Sequence, residues 1–362
     1  MRIGIDAHML GDRSGGNESF YRGILAELTP DPEDEYYLFV RNGVDASEYM
    51  DRFRVVFFKS NNSIYRNCIE LRKLCKEYKI DVLHTQYYLP LFSPCKTVVT
   101  IHDLSFEHID NVFTKTEYIK DKLLVPHAAR RADVVVTVSN FSKQDISSTY
   151  NVPESKIEVI PNAVGSEFYK LPENDELRAK VRDKFNIGDS KYIICVSNLQ
   201  PRKNIPRLVR AFGKYIDENN KDCKLVLVGK KAWMYDEIEQ CVANYKDNVL
   251  LTDYVENDEL VALFGEAAGC VYPSIFEGFG IPPLEALCCG TPVAVSDIPV
   301  MREVLGDNVI YFDPMNEDNI AEAIKKLFET HPGVDDAIVL KYSWKKSADK
   351  LKEVYKRLYA GE

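Results

Sequence analysis

Glu277-Gly278-Phe279-Gly280-Ile281-Pro282-Pro283-Leu284-Glu285 sets two carboxylates eight positions apart across a glycine-rich turn and the start of a helix. The apolar run 269–272 just before it reads as a strand. Prolines at 282 and 283 suit a first helical turn, where a missing N–H costs little. Gly278 and Gly280 let the backbone approach a ligand closely. Free N–H groups at such a helix mouth suit a phosphate or another anion. Two glutamates at this spacing recur by chance in many chains; the strand, glycines and prolines around them make this pair a candidate site. Strand, turn and helix in this order form the repeating unit of a parallel α/β sheet.

The same alternation runs outward in both directions. Short apolar runs at 2–6, 36–40, 54–58, 82–85, 97–100 and 134–138 read as strands, with helical spacing over 17–28 and 64–78 between them. It restarts after Pro161 with strands at 192–196, 224–228, 249–251, 269–272, 292–295 and 309–312. The helix after Asn204 puts Ile205, Leu208, Val209 and Phe212 on one face, with Asn204 as its cap. Trp344, Leu351, Val354, Tyr355 and Leu358 form an apolar stripe on a terminal helix. The expected architecture is α/β: a Rossmann-like domain over 1–165, a second over 166–342, a central cleft between them, and a helix over 343–362 packing back across the domains.

A chain of 362 residues with 45% apolar and 28% charged residues has enough core for two such domains. The formal charge of -10 excludes a broad basic field, so no nucleic-acid partner is expected and any phosphate site must be local. Nine cysteines, odd in number and without CxxC spacing, read as reduced structural thiols of a cytoplasmic protein. No His/Cys/Glu cluster has metal spacing. No signal peptide and no stretch of membrane-crossing length is expected. Mixed basic and apolar residues at 64–79 and 115–131 leave peripheral contact at the inner face of a membrane open.

Taken together, Tyr272-Pro273-Ser274, Glu277 through Gly280, Glu285-Ala286 and Gly290-Thr291-Pro292-Val293 resemble, in order, the signature of retaining GT-B glycosyltransferases of family 4. Pro201-Arg202-Lys203-Asn204 and the opening Gly4-Ile5-Asp6-Ala7 are similar to its bacterial mannosyltransferase-like members.

The resemblance implies a nucleotide sugar held by the C-terminal half, with Glu285 on the ribose diol, Glu277 on sugar hydroxyls and Lys203 at the diphosphate. Many relatives carry an arginine five positions before that lysine; this chain has Asn198, which leaves Arg202 as the second cation. Gly278, Phe279 and Gly280 complete the donor turn. Tyr254 and Val255 stand where relatives line the base, core packing being the competing reading, and Lys230-Lys231 end another strand.

In the N-terminal half, His102 resembles the histidine near the transferring sugar, with Asp103 orienting locally. In the loop 11–17, Gly16 is the implied phosphate contact. Catalysis would rest on His102, Glu277 and Lys203 without a metal or other cofactor. The implied reaction moves a hexosyl group, mannosyl from GDP-mannose first, to a glycan or lipid-linked acceptor. UDP-glucose or UDP-N-acetylglucosamine as donor, a nucleotide-sugar epimerase and a non-catalytic nucleotide-sugar-binding protein stay open as alternatives.

Overall fold

The computed structural model describes all residues except 12–14, 110–113, 220–221, 231–235, 308, 331–335 and 362. Lys231 and part of the loop 11–17 therefore lie outside the described residues. The chain divides into two compact units, one of residues 1–108, 115–162 and 343–362 and one of 109–114 and 163–342.

The first unit holds a seven-stranded parallel sheet: β1 Arg2–Asp6, β2 Glu35–Val40, β3 Arg54–Phe57, β4 Val82–Gln86, β5 Lys96–Thr100, β6 Val134–Thr137 and β7 Ile157–Val159, in the order β3-β2-β1-β4-β5-β6-β7. Ile3 pairs with Tyr36 on one side and Val82 on the other. Every residue of β4 is buried, as befits a strand covered on both faces. β7, only Ile157-Glu158-Val159, is too short to show a period and was not expected from the sequence.

The helix expected over 64–78 is broken: Ser63–Tyr65 is followed by a π turn, Arg66–Glu70, and then by Leu71–Glu77. The wider turn brings Arg66, Asn67 and Glu70 inward together, and Glu70 accepts the Lys59 N–H at 2.5 Å.

The terminal helix Trp344–Ala360 belongs to this first unit and buries all five residues of its apolar stripe. It packs on the helix Gly16–Glu27, where a Cβ at Gly23 would lie 2.2 Å from the Trp344 ring. The absence of a side chain is what lets the two helices meet. Ser347 Oγ donates to the Pro161 carbonyl at 2.7 Å, and the Tyr355 hydroxyl lies 2.6 Å from His84 Nδ1.

The second unit repeats the plan with six parallel strands: β8 Lys191–Val196, β9 Cys223–Val228, β10 Val249–Leu251, β11 Gly269–Tyr272, β12 Val293–Ser296 and β13 Ile310–Phe312, ordered β10-β9-β8-β11-β12-β13. Its core is Ile193, Leu208, Phe212, Leu225, Ile320 and Ile324 with their neighbours. In each sheet the chain begins in the middle, runs to one edge and returns to the other side of its first strand. The connections therefore diverge beside that strand, between β1 and β4 and between β8 and β11. A crevice at the carboxyl ends of the strands is expected there.

Candidate functional site

In the second unit the two strands at that reversal deliver the conspicuous residues. β8 leads to the short turn Pro201–Lys203, and β11 leads through Pro273 and Ser274 to Glu277 and the helix Ile281–Cys288. Lys203 Nζ lies 2.5 Å from Glu277 Oε1, and Arg202 Nη1 lies 2.8 Å from Glu277 Oε2. The Tyr272 hydroxyl donates to the same Oε1 at 3.0 Å, and Ser274 Oγ also donates to it. Burial alone would push this carboxyl up, but the Arg202 and Lys203 charges with the surrounding donors hold Glu277 down at about 2. Two cations against one carboxylate leave the turn with a net positive charge.

Asn204 does not cap its helix through its side chain. It has a left-handed backbone, φ 59°, its amide donates to the carbonyls of Pro273 and Pro314, and its Oδ1 accepts from Arg207. It ties the Pro201–Lys203 turn to the end of β11.

Pro282 and Pro283 occupy the first helical turn and supply no N–H. Donors at this mouth come from the turn itself: among the described residues, the N–H groups of Phe279 and Gly280 have no protein acceptor. Gly280 is at φ 88°, and a Cβ there would lie 2.5 Å from Met301 Cε, so conformation and packing both demand glycine. The Phe279 ring is buried edge-on against Tyr342, centroids 5.1 Å apart, so that residue offers its main chain rather than its ring.

Glu285 contrasts with Glu277. It is half-buried, no described residue bonds its carboxylate, and burial together with the nearby Glu167 charge pushes it up to about 8. Glu167, whose Oε1 accepts from Asn257 Nδ2 at 3.1 Å, was not expected at this place. Tyr254 is exposed and stacks under Lys230 at 5.8 Å, while the Val255 side chain is buried.

In the first unit, His102 follows β5 and is buried, its ring neutral because burial holds it at about 4. Asp103 accepts the Ser105 N–H at 2.9 Å and so acts on the local turn. Gly16 opens its helix, and no described residue lies within 4 Å of where a Cβ would sit. The neighbouring Gly15, at φ 80°, is the position whose backbone calls for glycine. Tyr272, Ser274 and Glu167 are the residues sequence reasoning left without a role. Only the position of Tyr272-Pro273-Ser274, at the end of a strand beside Glu277, could have pointed to the first two.

The model described as Glycosyltransferase Family 4 matches residues 24–168, and the model described as Glycosyl transferases group 1 matches residues 178–356. The O-antigen chain mannosyltransferase RfbU of Salmonella typhimurium is 33% identical over 267 residues, 73% of this chain and 69% of that protein. O-antigen chain mannosyltransferase B of Escherichia coli is 31% identical over 258 residues, 69% of this chain and 65% of that protein. The structure of Anabaena HepE in complex with UDP-glucose is similar at a TM-score of 0.75 and 16% identity, over 98% of this chain and 99% of that one. Two parallel-sheet units of this kind are the GT-B fold. The chain belongs to the family 4 glycosyltransferases.

Proposed function

We propose that this glycosyltransferase moves a mannosyl group from GDP-mannose to a hydroxyl of a glycan or lipid-linked acceptor, with retention of anomeric configuration and no metal. The observation that carries the reading is the largely buried Arg202–Glu277–Lys203 cluster at the end of β8 and β11. Its excess positive charge, beside the unclaimed N–H groups of Phe279 and Gly280, suits a diphosphate leaving group. Glu285, whose carboxylate no described residue bonds, is the acceptor for a ribose diol. The bond from the sugar C1 to the phosphate oxygen breaks, the bond from the acceptor oxygen to C1 forms, and the acceptor proton passes to a phosphate oxygen. His102 acts on the transferred sugar. The mannosyl choice is supported by the similarity to RfbU and mannosyltransferase B, both named as O-antigen chain mannosyltransferases. UDP-glucose is the second reading, favoured by the ligand of the Anabaena structure.

Calorimetry with GDP, UDP and ADP and then the matching nucleotide sugars tests the donor. Selective binding of UDP would replace GDP-mannose by the second reading. Activity should survive EDTA, and the product should keep the donor's anomeric configuration; an inverted product, or activity lost on chelation and restored only by metal, overturns the mechanism.

No helix among the described residues is long and apolar enough to cross a membrane. We place the protein in the cytoplasm, with peripheral contact at the inner face of the membrane. Ile64, Ile69, Phe92, Ile119 and Leu123 are exposed. Arg72 lies over Phe92 and Lys122 over Tyr118. Apolar side chains among basic ones suit anionic lipid. Co-sedimentation with anionic vesicles that high salt reverses is the expected result, and no binding at low salt refutes the contact.

A further inference from the structure

Gln86 ends β4 and reaches two groups at once: its Nε2 is 3.1 Å from the Asn17 carbonyl oxygen and 3.2 Å from His102 Nε2. A carbonyl can only accept, so the amide nitrogen, not the amide oxygen, must face Asn17. One N–H of Gln86 then serves Asn17 and the other points at His102. The Nε2 of His102 therefore accepts, and the single proton of the neutral imidazole lies on Nδ1. Phe20 meets the ring edge-on at 5.2 Å, and Tyr87 lies tilted at 5.8 Å, so the ring is held on more than one side. Tyr87 takes a left-handed backbone, φ 57°, to stand there. No described residue bonds His102 Nδ1.

We infer that Gln86 is a positioning residue that fixes His102 as its Nδ1–H tautomer, so that this histidine presents a hydrogen-bond donor to a substrate oxygen. Asn17, at the head of the helix Gly16–Glu27, sets the orientation of Gln86 through its main chain. A side-chain substitution at Asn17 leaves that control in place, whereas one at Gln86 removes it. The inference rests on the proposed action of His102 on the transferred sugar, but the tautomer itself needs no substrate.

The test is nitrogen NMR of the full chain labelled in its six histidines, with His102 signals assigned by their loss in His102→Gln. Wild type should show the proton on Nδ1. In Gln86→Glu a carboxylate, which only accepts, should draw the proton to Nε2. Gln86→Met, which keeps the side-chain length without donors, should release the ring to a mixture. Both variants should lose turnover by about tenfold or more while nucleoside diphosphate affinity stays within about twofold. Wild-type His102 protonated on Nε2, or a tautomer unmoved in Gln86→Glu, overturns the inference. So does a tautomer that moves while turnover does not. A wrong donor or stereochemistry in the proposed function leaves the NMR result standing, so the two failures are distinguishable.

Discussion

Glu277 is shared between Lys203 at 2.5 Å and Arg202 at 2.8 Å, one cation on each carboxylate oxygen. Removing the carboxylate would take the shared anion away from two largely buried cations, a change that costs on the order of 3 kcal/mol. Glu277→Gln should therefore lower the denaturation midpoint and turnover while binding free nucleoside diphosphate at least as tightly as wild type. Chemical denaturation and calorimetry check both; weaker diphosphate binding by the folded variant would put Glu277 in a different role. Because Glu277 is held down at about 2, its stabilisation is complete above the usual carboxylate range. It disappears as pH falls towards 2. The variant's acid unfolding should be flatter over that interval.

Glu285 should give the opposite pH signature. Pushed up to about 8, it is mostly protonated at neutral pH in the free protein, whereas two ribose hydroxyls would donate to its ionised form. Nucleoside diphosphate affinity should then rise about tenfold from pH 7 to 9 and level off, with proton release on binding below pH 8. Glu285→Gln should remove the rise, so that its defect grows with pH. Calorimetry in buffers of different ionisation enthalpy measures both; a wild-type affinity flat across this range would take Glu285 off the ribose.

His84 is buried between the Tyr355 hydroxyl and Thr100 Oγ1, with burial holding it at about 3. Tyr355→Phe leaves His84 Nδ1 without that partner, at a cost of roughly 1–3 kcal/mol in urea unfolding. Both His84 and His102, at about 4, are neutral in the folded chain and take up protons on unfolding. Their effect is absent above the ordinary histidine range and destabilises progressively as pH falls below about 6.5. Replacing His84 by an apolar residue of similar size should weaken that acid sensitivity.

Gly23 and Gly16 should respond differently to the same substitution. A Cβ at Gly23 meets the Trp344 ring at 2.2 Å, whereas a Cβ at Gly16 meets no described residue. Gly23→Ala should cost about 1–3 kcal/mol in unfolding free energy. Gly16→Ala should leave stability unchanged or slightly raised, since alanine favours a helix. Equal unfolding midpoints for the two variants would contradict the close helix contact.

The sheets were legible because buried parallel strands write themselves as apolar runs, and 249–251 or 269–272 could be read directly. β7 was not legible, since three residues carry no period. Nor was the π turn at Arg66–Glu70, whose inward Arg66 and Glu70 look like any polar helix face. At the site, Glu277 and Lys203 stood out through their turns, but their mutual pairing did not: a distance across 74 positions is set by the adjacency of β8 and β11. Gln86 was hidden for the same reason. Its meaning comes from β5 lying next to β4, which sets it beside His102 across the sheet.

Because Trp344–Ala360 completes the first unit, a nascent chain makes that unit's opening segments and then all of 163–342 before the closing helix exists. At ordinary translation rates the wait is roughly 10 to 40 seconds. During it Phe20 lacks the Trp344 ring and Tyr36 lacks Tyr355, two aromatic contacts of the finished unit. The second unit, whose sheet lies wholly within Ala163–Tyr342, has no such wait. Order of synthesis and order of completion are thus reversed: the half made first is the half finished last, and chaperone demand during synthesis falls on the amino-terminal sheet.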